Sequence, residues 1–317
     1  MDSTQLWTLT DGNAGNRRQA DALAAALAHG PVLDWVLEPQ APWSWCAPRR
    51  LPGASAAFGA SFADALAHPP RIAIGCGRQA ALATRLLRQR GSTAVQILDP
   101  RIDTHHWDLV IAPEHDGLVG DNVISLVGSL NPVDTLWLAQ ARAAFASFAD
   151  LPQPRTALLL GGPSAHARFD LASFEALATR LDVVLAREGG SVLATTSRRT
   201  PADVVAALRK RYVDTPNVVW CGDADGINPY PGMLAWADRI VATPDSVNML
   251  SEACATDVPV FVFDPDRVDG RPRRFLEVLL ARGRVHPMDT ALVAFHVEPL
   301  RETARVAALV KQRLSLE

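Results

Sequence analysis

His115 stands next to Asp116 at the end of an apolar run, in Ala112-Pro-Glu-His-Asp116, where a carboxylate can orient an imidazole and favour its charged form for proton transfer. A solvated surface loop, with Glu114 and Asp116 as ordinary loop charges, fits the same residues. Asp11 is a third candidate base. It opens Asp11-Gly-Asn-Ala-Gly-Asn16, directly after another apolar run, and Gly12 and Gly15 would let a ligand approach the backbone beside Asn13 and Asn16. The plain alternative is a tight turn into a helix capped by Asn16. A dinucleotide fingerprint is poorly matched there, since Asn16-Arg17-Arg18 follows Gly15, although Glu38 lies at a suitable distance. Gly75-Cys-Gly77-Arg78 is a further glycine turn, and it offers Gly77 and Arg78 to the same ligand.

Three segments of the second half suit an anion. Gly161-Gly162-Pro-Ser164 ends a run of leucines in a glycine turn with a hydroxyl. Thr196-Ser197-Arg198-Arg199-Thr200 combines hydroxyls with two guanidinium groups, which pair bidentately with phosphate oxygens. Thr243-Pro-Asp245-Ser246 leads into a helix whose start attracts phosphate, with Glu252 nearly two turns along and within reach of a ribose. Thr200 and Asp245 serve equally well as helix caps, and Asp245 is an awkward neighbour for a phosphate.

Such loops need rigid elements to carry them. Short apolar runs alternate with longer amphipathic ones along the chain, the pattern of an α/β protein with parallel sheets. Strands are expected at Leu6–Thr10, Leu33–Leu37, Arg71–Ile74, Ala94–Leu98, Leu109–Ala112 and Val123–Leu126, with helices at Asn16–Ala28, Ala54–Ala67, Arg78–Arg90 and Asp134–Ala149. Two prolines in Leu151-Pro-Gln-Pro-Arg155 mark a linker. Strands then resume at Thr156–Leu160, Val192–Thr195, Val218–Trp220, Arg239–Ala242 and Val258–Phe263, separated by helices at Leu171–Arg187, Pro201–Arg211, Tyr230–Trp236 and Val247–Ala255. The expected architecture is two Rossmann-like domains, 1–150 and 151–299, facing across a cleft, with a helix over 300–317 packing back on the first.

At 317 residues and 48% hydrophobic, the chain can fill two cores, and its net charge of -3 argues against an electrostatic nucleic-acid binder. The start lacks a secretory pattern, no apolar run is long enough to span a bilayer, and a cytoplasmic protein is expected. Cys46, Cys76, Cys221 and Cys254 are scattered, so neither a zinc site nor a disulfide framework is expected, and they read as small buried hydrophobes. Asp223-Ala-Asp225 has the spacing of a metal-binding pair but reads as a surface turn, so no metal is expected. Two stretches stay open: Trp43 and Trp45 ahead of Arg49-Arg50 form either an interfacial patch at the inner membrane or core packing, and Arg267–Arg274 is either an anion site or a solvated loop.

Met249-Leu-Ser-Glu-Ala-Cys-Ala-Thr-Asp-Val-Pro-Val-Phe-Val-Phe263, together with Gly161-Gly-Pro-Ser164, resembles the donor site of GT-B glycosyltransferases, notably the peptidoglycan N-acetylglucosaminyltransferase acting on lipid I. The resemblance implies that Glu252 binds the donor ribose while Ser246 and Gly162 approach the diphosphate. The turn departs from that family in reading Thr-Pro-Asp-Ser instead of Ser-Gly, which alters the pocket. Along nearly the whole chain, Asp11-Gly-Asn-Ala-Gly-Asn16, Pro113-Glu-His-Asp116, Leu159-Leu-Gly-Gly162, Thr195-Thr-Ser-Arg-Arg199 and Asn228-Pro-Tyr230 together are similar to the "elongated mitochondria" family of mitochondrial fission proteins. Arg/Ala-rich composition without an organelle-targeting segment implies a bacterial member.

The function implied first is a metal-independent glycosyltransferase without a cofactor. Its substrate would be a nucleoside-diphosphate sugar, its acceptor a saccharide or a lipid-linked group. Two alternatives remain: a non-catalytic scaffold on a degenerate fold, and a nucleotide-sugar epimerase.

Overall fold

The computed structural model describes residues 6–28 and 30–316. They form two compact units, one running to Pro132 and resuming at Glu302, the other comprising Val133–Arg301.

In the first unit, β1 (Leu6–Thr10), β2 (Val32–Val36), β3 (Ile72–Cys76), β4 (Thr93–Ile97), β5 (Leu109–Pro113) and β6 (Val123–Leu126) make one parallel sheet ordered β2-β1-β3-β4-β5-β6. Helices α1 (Ala14–Leu27), α2 (Trp43–Cys46), α3 (Gly59–Ala65) and α4 (Arg78–Arg88) connect the first four strands. Strand β3 is buried throughout, because helices covering both faces of a parallel sheet leave its inner strands no wet side. The edge strand β2 is different: Leu33 and Val36 are exposed. Where one long helix is expected over Ala54–Ala67, a positive φ of 84° at Gly59 instead separates a 3-10 turn at Ala54–Ala56 from α3.

In the second unit, β7 (Arg155–Leu160), β8 (Ser191–Thr196), β9 (Asn217–Trp220), β10 (Arg239–Ala242), β11 (Val260–Val262) and β12 (Val285–Pro287) form a parallel sheet ordered β12-β11-β10-β7-β8-β9. Its helices are α5 (Thr135–Ala144), α6 (Leu171–Glu188), α7 (Ala202–Arg211), α8 (Tyr230–Trp236), α9 (Val247–Cys254) and α10 (Gly270–Ala281). A core of Leu158, Leu160, Phe174, Leu177, Val241 and Phe261 joins one face of the sheet to α6.

The expected division at residue 150 moves to Pro132 because α5 belongs to the second unit. Gly232 of α8 lies against the Phe145 ring so closely that a Cβ there would meet Cγ at 2.5 Å. Arg142 Nε donates to Ala235 O at 2.7 Å across the same contact. The last helix, α11 (Glu302–Leu314), returns to the first unit. There Val306, Ala307 and Val310 join Ala20, Leu23 and Leu27 in one core, and Glu302 accepts the Val127 amide at 3.0 Å.

Asp170 caps α6, accepting the Ser173 amide at 2.8 Å and its hydroxyl at 2.6 Å. The Ser173 hydroxyl, then its amide, hold the Asp170 carboxyl below the usual carboxylate range. Asp170→Ala is therefore expected to cost about 1 kcal/mol in urea denaturation at neutral pH. With its folded pKa depressed, the contribution is complete above the unfolded carboxyl value and fades as pH falls through the folded one. The difference between variant and parent should thus shrink in acid.

Candidate functional site

Each sheet reverses its strand order once, between β1 and β3 in the first unit and between β7 and β10 in the second. A ligand enters an open α/β sheet at the carboxyl ends of the strands, at such a reversal.

In the second unit, the loops after β7, β8 and β10 meet there around the Asp245 carboxylate. Its Oδ2 accepts the Gly162 amide at 3.0 Å and Nη2 of Arg199 at 2.8 Å, while Oδ1 accepts the Thr243 hydroxyl at 2.6 Å. The Asp245 side chain is 1% exposed and that of Arg199 is 44% exposed, so the pair runs from the interior to the surface. Thr243 Oγ1 also accepts the Gly161 amide at 2.8 Å, and the Thr200 hydroxyl donates to Gly161 O. Ser197 closes the β8 turn, its amide donating to Thr200 Oγ1 at 3.0 Å.

Both glycines are required by this packing. A Cβ on Gly161 would overlap the two Asp245 oxygens, and one on Gly162 would overlap the Arg199 carbonyl. The expectation that Gly162 approaches a diphosphate is therefore corrected, because its amide is already given to Asp245.

Arg198 is exposed on the same turn and makes no ion pair among the described residues. Thr196 is buried at the end of β8, and Ser164 sits in an exposed turn where its hydroxyl accepts the His166 amide at 3.2 Å. Ser246 caps α9, its hydroxyl accepting the Met249 amide at 3.4 Å. Glu252, on the same helix, is 2% exposed and accepts the Tyr230 hydroxyl at 2.6 Å.

In the first unit, Asp11 is held by its own loop. The Asn13 amide and side chain donate to it at 3.1 and 2.7 Å, and Asn16 Nδ2 donates at 2.9 Å. Asn16 also packs on the β3 turn, where a Cβ on Gly77 would lie 2.7 Å from its Nδ2. Asp11, Gly12, Asn13, Asn16 and Gly77 thus gather at the reversal between β1 and β3, while Gly15 lies in the first turn of α1. Burial, then the nearby Asp11 charge, push the Cys76 thiol well up.

The Arg78 guanidinium donates to the carbonyls of Ser44, Trp45 and Ala47 at 3.1, 3.3 and 3.4 Å, and the residue remains exposed. His115 and Asp116 occupy a 3-10 turn after β5. That strand is three places from β1, about 14 Å at the usual strand spacing, so the candidate bases form no single cluster.

Other expectations resolve locally. Asp225 of the Asp-Ala-Asp turn is spent on Arg209 at 2.6 and 2.7 Å and on the Cys221 amide, and no cluster of metal-ligating side chains occurs among the described residues. Arg267–Arg274 is not one loop, since it runs into α10 at Gly270; in it Arg267 pairs with Asp264, and Arg273 pairs with Asp266 and Glu277. Cys76 and Cys254 are buried, whereas Cys46 and Cys221 are only half-buried, which corrects the reading of all four as core. Trp43 tucks its Nε1 against Pro52 O while Trp45 stands 74% exposed, and no helix among the described residues is long and apolar enough to cross a membrane.

Thr243, Tyr230 and Arg284 support the site without standing out as site residues in the sequence. The first lies inside the Thr-Pro-Asp-Ser motif, where a hydroxyl two residues from an acid is the available signal. Tyr230 and Arg284 act across long sequence separations that no local pattern reveals.

Two Rossmann-like units in one chain, each with a single reversal of strand order, have the make-up of the GT-B class of fold. The chain is similar in fold to Os79 of O. sativa in complex with UDP (TM-score 0.54, 13% identity, 98% of this chain and 91% of that one). It is likewise similar to MurG of Acinetobacter baumannii (TM-score 0.50, 14% identity, 98% and 92%). Within this class the chain belongs to the mitochondrial fission ELM1 family, which it matches over residues 14–314. It is 32% identical over 277 residues to the mitochondrial fission protein ELM1 of Arabidopsis thaliana, a match covering 78% of this chain and 64% of the plant protein's length. A bacterial relative, protein RP120 of Rickettsia prowazekii, is 24% identical with 98% of this chain and 99% of that protein covered.

Proposed function

We propose that the protein is a glycosyltransferase that takes a nucleotide sugar at the β7, β8 and β10 loops of its second unit. The observation that carries this reading is the convergence of three strand-end loops at the sheet reversal, with Arg198 exposed on one and Glu252 on the helix that follows another. In this reading the donor's glycosidic C–O bond to phosphate breaks and a C–O bond to an acceptor hydroxyl forms. Arg198 and the amides at the start of α9 stabilise the charge growing on the leaving phosphate, so metal is not called on. Glu252, held by Tyr230, accepts a ribose hydroxyl. The first unit is read as the acceptor half, for a saccharide or lipid-linked hydroxyl, with Asp11 taking its proton. Asp11 is preferred to His115 and Asp116 because it lies at the reversal of its sheet.

Calorimetric titration with uridine, guanosine, cytidine and adenosine nucleotides tests the binding half. One base should saturate the parent protein, and Arg198→Ala and Glu252→Gln should each weaken it at least tenfold, Arg198→Ala without a change in melting temperature. Binding that survives both substitutions places the nucleotide elsewhere. The buried Asp245 carboxylate favours a second reading, a non-catalytic scaffold. That reading predicts no turnover of any sugar donor.

A further inference from the structure

The loops after β7, β10 and β8 offer an anion three kinds of donor: the Gly162 amide, the Thr243 hydroxyl and the Arg199 guanidinium. All three are taken by one carboxylate of the chain itself. Asp245 cannot be regarded as a loose surface acid, since its side chain is 1% exposed and fixed through both oxygens. Nor is there spare room above the turn, because an added methyl on Gly161 would already overlap those oxygens. A carboxylate and a phosphoryl group present similar acceptor oxygens to amide, hydroxyl and guanidinium donors. The position where the glycine turn would hold a phosphoryl group is therefore filled from within.

We infer that Asp245 sets the number of phosphoryl groups on the ligand: the site takes a nucleotide bearing one, as in a nucleoside-monophosphate sugar, and disfavours the diphosphate. This rests on the reading of the site as a nucleotide site and narrows it. The second phosphoryl of a diphosphate would have to lie against a buried negative charge whose guanidinium partner is already neutralised by it. The remaining phosphoryl has Arg198, exposed on the β8 turn. In a transfer from such a donor, the C–O bond between sugar and phosphate breaks and the nucleoside monophosphate leaves with the electron pair. The acceptor oxygen forms the new bond, and its proton passes to the base.

The test compares mono- and diphosphates of each nucleoside by calorimetry on the full chain, and repeats the comparison on Asp245→Gly. In the parent protein the monophosphate of the recognised base should bind at least as tightly as its diphosphate. In Asp245→Gly, which empties the position and frees its donors, the diphosphate should gain at least tenfold relative to the monophosphate. A parent protein that prefers the diphosphate tenfold or more overturns the inference and leaves the nucleotide site standing. A folded Asp245→Gly with an unmoved ratio does the same. If folded protein binds neither series, the nucleotide site itself falls, and the inference with it. Should Asp245→Gly not fold, the comparison in the parent protein decides alone.

Discussion

Gly161→Ala is expected to destabilise the second unit by about 3 kcal/mol and to abolish the nucleotide binding proposed for it. The added Cβ would fall on both oxygens of Asp245. That carboxylate cannot retreat: Oδ1 is held by Thr243, and Oδ2 by the Gly162 amide and Arg199. Either the turn moves off the sheet or the Asp245–Arg199 pair breaks, and both outcomes dismantle the meeting point of the three loops. Urea denaturation measures the loss. Gly30→Ala is the control, because nothing lies within 4 Å of a Cβ there, and it should stay within about 0.5 kcal/mol of the parent. Equal stability of the two variants would mean that Asp245 does not sit on the glycine turn.

Arg284→Ala is expected to have a comparable effect, about 3 kcal/mol, for a different reason. The Arg284 side chain donates to the carbonyls of Cys254, Ala253, Thr256 and Val258 at 2.9, 3.2, 2.9 and 3.4 Å. These carbonyls lie at and beyond the end of α9, where the last carbonyls of a helix lack partners within it and a cation also meets the negative end of the dipole. The residue is only 5% exposed, and burial draws its pKa down, so alanine would leave several buried carbonyls without a donor. Arg284→Lys should recover only part of the loss, since a single ammonium cannot reach four carbonyls that a planar fork spans. Because α9 begins at the Ser246 cap and carries Glu252, amide exchange in this helix should rise along with the loss of stability. Unchanged exchange in α9 would contradict its dependence on Arg284.

What the sequence reveals follows from how much of each element is locally determined. Strands β1, β6 and β10 have the bounds read from their apolar runs, because buried parallel strands are short, apolar and stopped by turn residues. Helix α10 is hidden because Arg271, Arg273 and Arg274 crowd its first turns, and its buried stripe of Phe275, Leu276 and Leu279 begins only afterwards. Strand β12 has three residues, of which only Val285 is buried, too few to show a period. The prolines make a boundary near 150 natural, yet membership of α5 is decided by the fit of its end against Gly232 and Ala235, far downstream in the chain.

The site divides in the same way. Its loops are legible, since Gly161-Gly162, Arg198-Arg199 and Asp245-Ser246 each follow an apolar run. Which donors are already spent is not, because Asp245 meets Gly162 and Arg199 only once β10 lies beside β7. Arg78 shows the same limit, since nothing near it in sequence announces that its guanidinium holds the α2 segment.

The most direct test of the central claim is turnover of sugar donors. The protein is incubated with nucleotide sugars of each base, and released nucleotide is quantified with and without saccharide or lipid-linked acceptors. The account predicts release from donors of one base, stimulated by an acceptor, lost in Glu252→Gln and strongly slowed in Asp11→Asn. A folded protein that binds a nucleotide yet turns over none of these donors would contradict it, and would leave the scaffold reading in its place.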